Sequence, residues 1–324
     1  MKFPQKIIIL MLLTFVMLLI SCSSTEIPEG DSQAEDLTRD ALLPSTDYSL
    51  YALVGPYEDL WFMSGSLNFM ETNGNPSDNL IKVDAVKIVV TKDMLHTYGN
   101  VRLKNLKDLE KIESYFQSKT SSRILPKKHP SEVDVIFAHS ISDTVISDSV
   151  DINQYMPLNE FDPDGLRLMS NLPYEPTLEL VGVGAISKDM RAINMLTDVD
   201  GLDLQLITRT YQTLNGGNVV FGAYTSDDAI ITLTDETEFF QDSISALVFL
   251  THSSYASPLV SFLVREISEE MGMTNLSVDG SNVRHLELNG VHVIVKNVGS
   301  LVYLFISNDL NEAEKLIGSI LPVL

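Results

Sequence analysis

The sequence predicts an α+β fold: antiparallel sheets with helices packed on one face, built from duplicated β-α-β-β-β-α units. Three observations predict it. Apolar segments of period 2 alternate with segments of period 3.6 throughout residues 48–324. Asn215-Gly216 and Asn289-Gly290 each stand between strand-like runs, the pairing that closes tight hairpins. These two pairs are 74 positions apart, as are Asp235 and Asp309, each opening a helical stretch. One offset held through a turn, two strands and a helix indicates internal duplication.

The chain begins with Lys2 and Lys6, followed by "IIILMLLTFVMLLI", in which Thr14 is the single polar residue. Fourteen helical residues reach ~21 Å, short of the ~30 Å hydrocarbon core of a bilayer. A positive head and an apolar run of this length form a secretory signal peptide over residues 1–21. Leu19-Ile20-Ser21-Cys22 stands where cleavage would occur. This stretch resembles the lipobox of prokaryotic lipoproteins. The resemblance covers residues 1 to about 24 and implies that the Cys22 thiol takes a diacylglyceryl group and becomes the new N-terminus. Two acyl chains hold stably at a membrane where one is marginal. Cys22 is also the sole cysteine of 324 residues, so lipidation would leave no free thiol in an oxidising compartment.

Residues 22–47 carry seven acids and one arginine and are expected to be an acidic, flexible tether. An N-terminal α+β domain is expected over 48–150. In it "SLYALVG", "DLWFMSGSLNFM", "AVKIVVT", "TYGNVRL" and "EVDVIFAHS" have the composition of strands, and Asn105 caps a helix to about Ser118. Residues 151–177, rich in Asp, Asn and Pro, form a boundary loop. A C-terminal α+β domain follows over 178–324, divided by the duplication into 178–246 and 247–324. The first unit is expected as strand "TLELVGVGAI", helix "SKDMRAINML", strands "DLQLITRTYQTL", "NVVFGAY" and "AIITLT", and helix "DETEFFQDSI". The second is expected as strand "SALVFLTH", helix "SPLVSFLVREISEEMG", strands "NVRHLEL", "VHVIVKN" and "LVYLFIS", and helix "DLNEAEKLIGSIL". "LVYLFIS" is apolar on both faces, which marks a central strand.

The formal charge is −22. Loss of residues 1–21 removes two lysines and no acid, leaving 20 basic against 44 acidic residues. Such a balance disfavours nucleic acid as a partner, and none is expected, because phosphate binding needs clustered Lys and Arg. From Lys82 to Lys128, however, eleven Lys or Arg face five acids. Lys104, Lys107 and Lys111 recur at helical spacing opposite Leu106, Leu109, Ile112 and Phe116. That face suits anionic headgroups, an acidic partner, or the protein's own acidic surface.

Residues with chemical potential are scattered. A tight turn at Asn289-Gly290 would set Glu287 opposite His292, with His285 two residues away on the same sheet face. Two imidazoles and a carboxylate there could hold zinc, although His–Glu pairs on an outer sheet face also form without metal. "EFDPDGL" places Glu160, Asp162 and Asp164 before Gly165, similar to the start of an EF-hand-type calcium loop. It departs through Pro163 and through Asn171 where a bidentate Glu belongs, so a turn is the alternative. There is no G-x-S-x-G elbow and no cysteine for nucleophilic chemistry in the mature chain, and His252-Ser253-Ser254 and His139-Ser140 are adjacent only in sequence. "LNGGN" is too short for a phosphate loop. Trp61, the one tryptophan, suits a core position, and Asn275-Leu276-Ser277 is a glycosylation sequon.

No catalytic residue, cofactor or resident metal is implied by these patterns. The expectation is a lipid-anchored extracytoplasmic protein of the cell membrane or outer envelope, attached through Cys22, with a non-enzymatic binding or assembly role and an envelope protein partner. The rival readings are the ligand-binding lipoprotein of an uptake system and a metal-dependent hydrolase using His285, Glu287 and His292.

Overall fold

The computed structural model describes residue 27 and residues 48–55, 60–63, 80–91, 96–103, 123–128, 133–140, 163–187, 204–214, 216–226, 231–234 and 244–321. The first six strands are β1 (Tyr48–Val54), β2 (Leu60–Met63), β3 (Leu80–Thr91), β4 (His96–Leu103), β5 (Arg123–Lys128) and β6 (Val133–Ser140). Helix α1 (Pro163–Met169), β7 (Leu178–Ile186), helix α2 (Leu204–Thr213), β8 (Gly216–Ser226) and β9 (Ile231–Thr234) follow. The chain closes with β10 (Ala246–Ser253), α3 (Ser257–Glu270), β11 (Thr274–Val278), β12 (Ser281–Leu288), β13 (Val291–Val298), β14 (Leu301–Ser307) and α4 (Leu310–Ile320).

The fold is α+β and dominated by one antiparallel sheet in the order β11-β12-β13-β14-β10-β8-β7-β1-β3-β4-β6-β5. β2 joins β3 antiparallel at Trp61 and Lys82, and joins β9 in parallel at Trp61 and Thr232. The earlier and later parts of the chain meet where β1 pairs with β7, Leu50 opposite Ile186 through Val54 opposite Gly182. β14 lies between β13 and β10, in keeping with its two apolar faces.

Helices cover both faces of this sheet, which corrects the expectation of one. On one side Leu168 and Met169 of α1 and Ala313, Leu316 and Ile317 of α4 join a core with Val220, Val248, Ile294 and Phe305. On the other, Val260 and Val264 of α3 pack with Leu214, Val295 and Val302. Neighbours such as Ile294 and Val295 fall in separate clusters because successive strand residues point to opposite faces. The central strands β7, β8, β10 and β14 are buried along nearly their whole length, so each face requires a cover.

The expected duplication is not reproduced. Leu204–Thr213, expected as a strand, is helix α2. Tyr211 and Leu214 are both buried, a spacing of three that one helix face satisfies and an alternating strand would split. Gly216 therefore opens β8 with a helix, not a strand, as the preceding described element, and Asn215 lies outside the described residues. Asn289-Gly290 does close a hairpin: both residues have positive φ, 51° and 85°, as a type I′ turn requires. The stretch expected as a turn, with a calcium loop as the alternative, is helical from Pro163. Asp164 and Gly165 are helical, in α1, and Pro163 occupies its first position, where a missing N–H costs nothing.

Residues 1–21, Cys22, Lys104, Lys107, Lys111, Glu160, Asp162 and, apart from Ser187 and Ile244, the two helices expected over 187–196 and 235–244 lie outside the described residues. Ile27, within the expected tether, is half-buried and packs against the main core. Among the described residues no helix is long and apolar enough to cross a membrane.

Candidate functional site

The sheet face under α2 and α3 contains an open cavity of about 70 Å³. Its floor is built by register. Phe249 lies opposite Leu304, and Thr251 lies opposite both Val302 and Val219. Val295 is opposite Leu304 on the next strand. All of these project to the same side. The walls are Thr210, Tyr211 and Leu214 of the α2 segment and Met271, the residue that ends α3.

Side-chain hydrogen bonds hold α2 over this floor. The Ser253 hydroxyl, fully buried, donates to the Leu214 carbonyl at 2.6 Å and accepts from the Tyr255 N–H at 3.2 Å. The Tyr211 hydroxyl donates to the Gly217 carbonyl, and the Thr251 hydroxyl donates to the Asn218 carbonyl at 3.2 Å. Gly216 is required for this arrangement. A Cβ there would lie 2.5 Å from the Tyr211 ring and 2.9 Å from the Thr251 hydroxyl oxygen.

Among the described residues, the polar side chains of the lining are Thr210, Tyr211 and Thr251, and no charged side chain lines it. Burial pushes the Tyr211 phenol up to about 12, with the neighbouring Thr251 hydroxyl opposing part of that rise. The phenol is therefore neutral at ordinary pH. The cavity offers apolar contact, and among its described lining residues none pairs a nucleophile with a base.

The face weighed for zinc has the expected register, and its two imidazoles pair with each other. Glu287 is opposite His292, and the imidazoles of His285 and His292 meet with Nε2 and Nδ1 3.1 Å apart, their rings inclined by 24°. Glu287 is exposed, and among the described residues no three His, Cys, Asp or Glu side chains come together as metal ligands. Burial lowers the His285 pKa, the neighbouring His292 lowers it further, and Glu287 and Glu314 pull it the other way.

Ser253 acts as a structural clamp, its hydroxyl donating to the Leu214 carbonyl. His139 pairs with Thr97 within the β4–β6 ladder, and Asn275 is exposed on β11. The cavity itself was invisible as a sequence motif. A helical reading of 204–214, from the spacing of Tyr211 and Leu214, is the signal that would have exposed it.

No known protein family and no curated protein matches the chain. Among solved structures, crystal form I of TP0453 is 10% identical over 86% of this chain and 98% of that one, with a TM-score of 0.38.

Proposed function

We propose that this chain is a lipid-anchored extracytoplasmic protein of the cell envelope with a non-enzymatic binding role, held at the membrane through acylated Cys22. The observation that carries the placement is Leu19-Ile20-Ser21-Cys22 directly after a 14-residue apolar run. The binding role is supported by an apolar cavity whose described lining carries no charged side chain and no acid–base or nucleophilic pair.

The uptake reading shares the anchor and draws on the same cavity, which lies between helices and a sheet face. The hydrolase reading rested on His285, Glu287 and His292, which come together as a histidine pair beside an exposed carboxylate. An assembly role would draw on the basic stretch from Lys82 to Lys128, and replacing Lys104, Lys107 and Lys111 with Glu should then weaken recovery of a partner from solubilised membranes.

The decisive test is mass spectrometry of the chain recovered from the membrane fraction. The expected N-terminal peptide begins at Cys22 and carries diacylglyceryl, and the Cys22→Ser chain should move to the soluble fraction. An unmodified Cys22 still joined to residues 1–21 would overturn the placement.

A further inference from the structure

We infer that the cavity under α2 seats the end of one alkyl chain from a free single-chain amphiphile, with the head group left outside. This deepens the binding role proposed above by giving it a ligand class. Three observations carry it.

The first is chemistry. Leu214, Val219, Phe249, Val302 and Leu304 supply the inner surface. The Tyr211 and Thr251 hydroxyls at its edge already donate to the carbonyls of Gly217 and Asn218. Among the described lining residues a ligand group entering here meets no charged side chain and no uncommitted donor from those two hydroxyls, so hydrocarbon is what the lining matches. A charged group would lose its hydration without compensation.

The second is size. A dry cavity of ~150 Å³ takes benzene. This one has about 70 Å³, roughly half that volume. The terminal methylenes of a chain, being narrow and flexible, suit so small a space.

The third is the opening. Thr210, Met271, Val295 and Leu304 are only partly buried, so the cavity communicates with solvent at its rim. A chain longer than the cavity can enter end-first and leave its remainder, with the head group, in water. Met271, an unbranched and adaptable side chain, stands at that rim.

The test uses the full-length Cys22→Ser chain in detergent-free buffer, titrated calorimetrically with n-alkanols of about four to about twelve carbons. Affinity should rise about fourfold per CH₂ while methylenes enter the cavity, then level off once it is filled. Met271→Trp, which fills the rim, should weaken binding at least tenfold. Phe262→Ala, on the outward face of α3, should leave it unchanged. Thermal unfolding checks that each variant folds, and Val295→Phe replaces Met271→Trp if the latter does not.

A rise with chain length that never levels off overturns the inference, because it describes adsorption to apolar surface. So does alkanol binding unaffected by a folded rim variant, or binding at no length. Binding by Cys22→Ser that is lost in the acylated chain held in nanodiscs would assign the cavity to the chain's own acyl group, and also overturns it. Because the titration uses Cys22→Ser, its failure leaves the mass-spectrometric test of anchoring untouched.

Discussion

His285 and His292 face one another across adjacent strands, ring nitrogen to ring nitrogen at 3.1 Å. One nitrogen must donate and the other accept, so the contact tolerates one proton between the rings and is broken by two. Burial and the charge of His292 hold His285 below its ordinary value against the opposing pull of Glu287 and Glu314. The unfolded chain, with His near 6.5, therefore binds protons that the folded chain refuses. Stability from this pair is complete above about pH 6.5 and falls as pH drops through that value toward the lower folded pKa. Thermal melts of the parent and of His285→Gln from pH 7.5 to pH 5 should show a steeper loss in the parent. Parallel slopes would refute the coupling.

Gly184 sits in the centre of the sheet beneath the Phe221 ring and beside the Tyr51 carbonyl, and a Cβ at this position would overlap both. A backbone carbonyl inside the sheet cannot move aside. Gly184→Ala should cost about 3 kcal/mol or more in urea unfolding. Gly182→Ala, whose Cβ would meet Leu53 and Val54 at an ordinary 3.4 Å, should change stability by less than about 1 kcal/mol. Equal effects at the two positions would contradict this packing.

The Tyr224 hydroxyl donates to the Pro173 carbonyl at 2.8 Å, and Tyr303 donates to Asn171 at 3.1 Å, fastening the segment after α1 to the sheet. Tyr224→Phe removes a buried bond and leaves its carbonyl unpartnered, a cost of about 1–2 kcal/mol. Burial raises both phenols, and Tyr303 raises Tyr224 further. Since the folded pKa values lie above the unfolded value near 10, their contribution is present below pH 10 and is lost as pH rises past it. Alkaline denaturation should be shallower in Tyr224→Phe than in the parent when each is followed by circular dichroism.

Asp309 caps α4, its carboxylate accepting the Asn311 N–H at 2.8 Å. Asp309→Ala should lower stability by about 1 kcal/mol, and Asp309→Ser should recover most of it. Denaturant midpoints of the three chains suffice to check this.

Much of the later fold was legible because its segments obey one period. "LVYLFIS" declared a central strand, Asn289-Gly290 a turn, and Val260, Val264 and Ser268 recur at the spacing of four that α3 buries. α2 was misread because Ile207, Thr208, Thr210 and Tyr211 favour strands locally, while burial of Tyr211 with Leu214 decides for a helix. β11 was overlooked because three of its five residues, Thr274, Asn275 and Ser277, are exposed and polar. The union of β1 with β7 and the cavity under α2 had no local signature. Each depends on residues far apart in sequence meeting through register: Leu50 with Ile186, and Val219 with Thr251. The His285–Glu287–His292 face was placed correctly by register, yet strand pairing alone could not show that the two rings would stack together with Glu287 left exposed.

Ile27 touches the main core only five positions beyond Cys22. Five residues pulled straight reach about 17 Å. An acyl group seated in a bilayer at Cys22 would thus keep the patch that receives Ile27 within about that distance of the headgroups. The body of the protein would then ride low on the lipid, on a short leash with few permitted orientations, presenting one constant side to the membrane and the opposite side to whatever approaches.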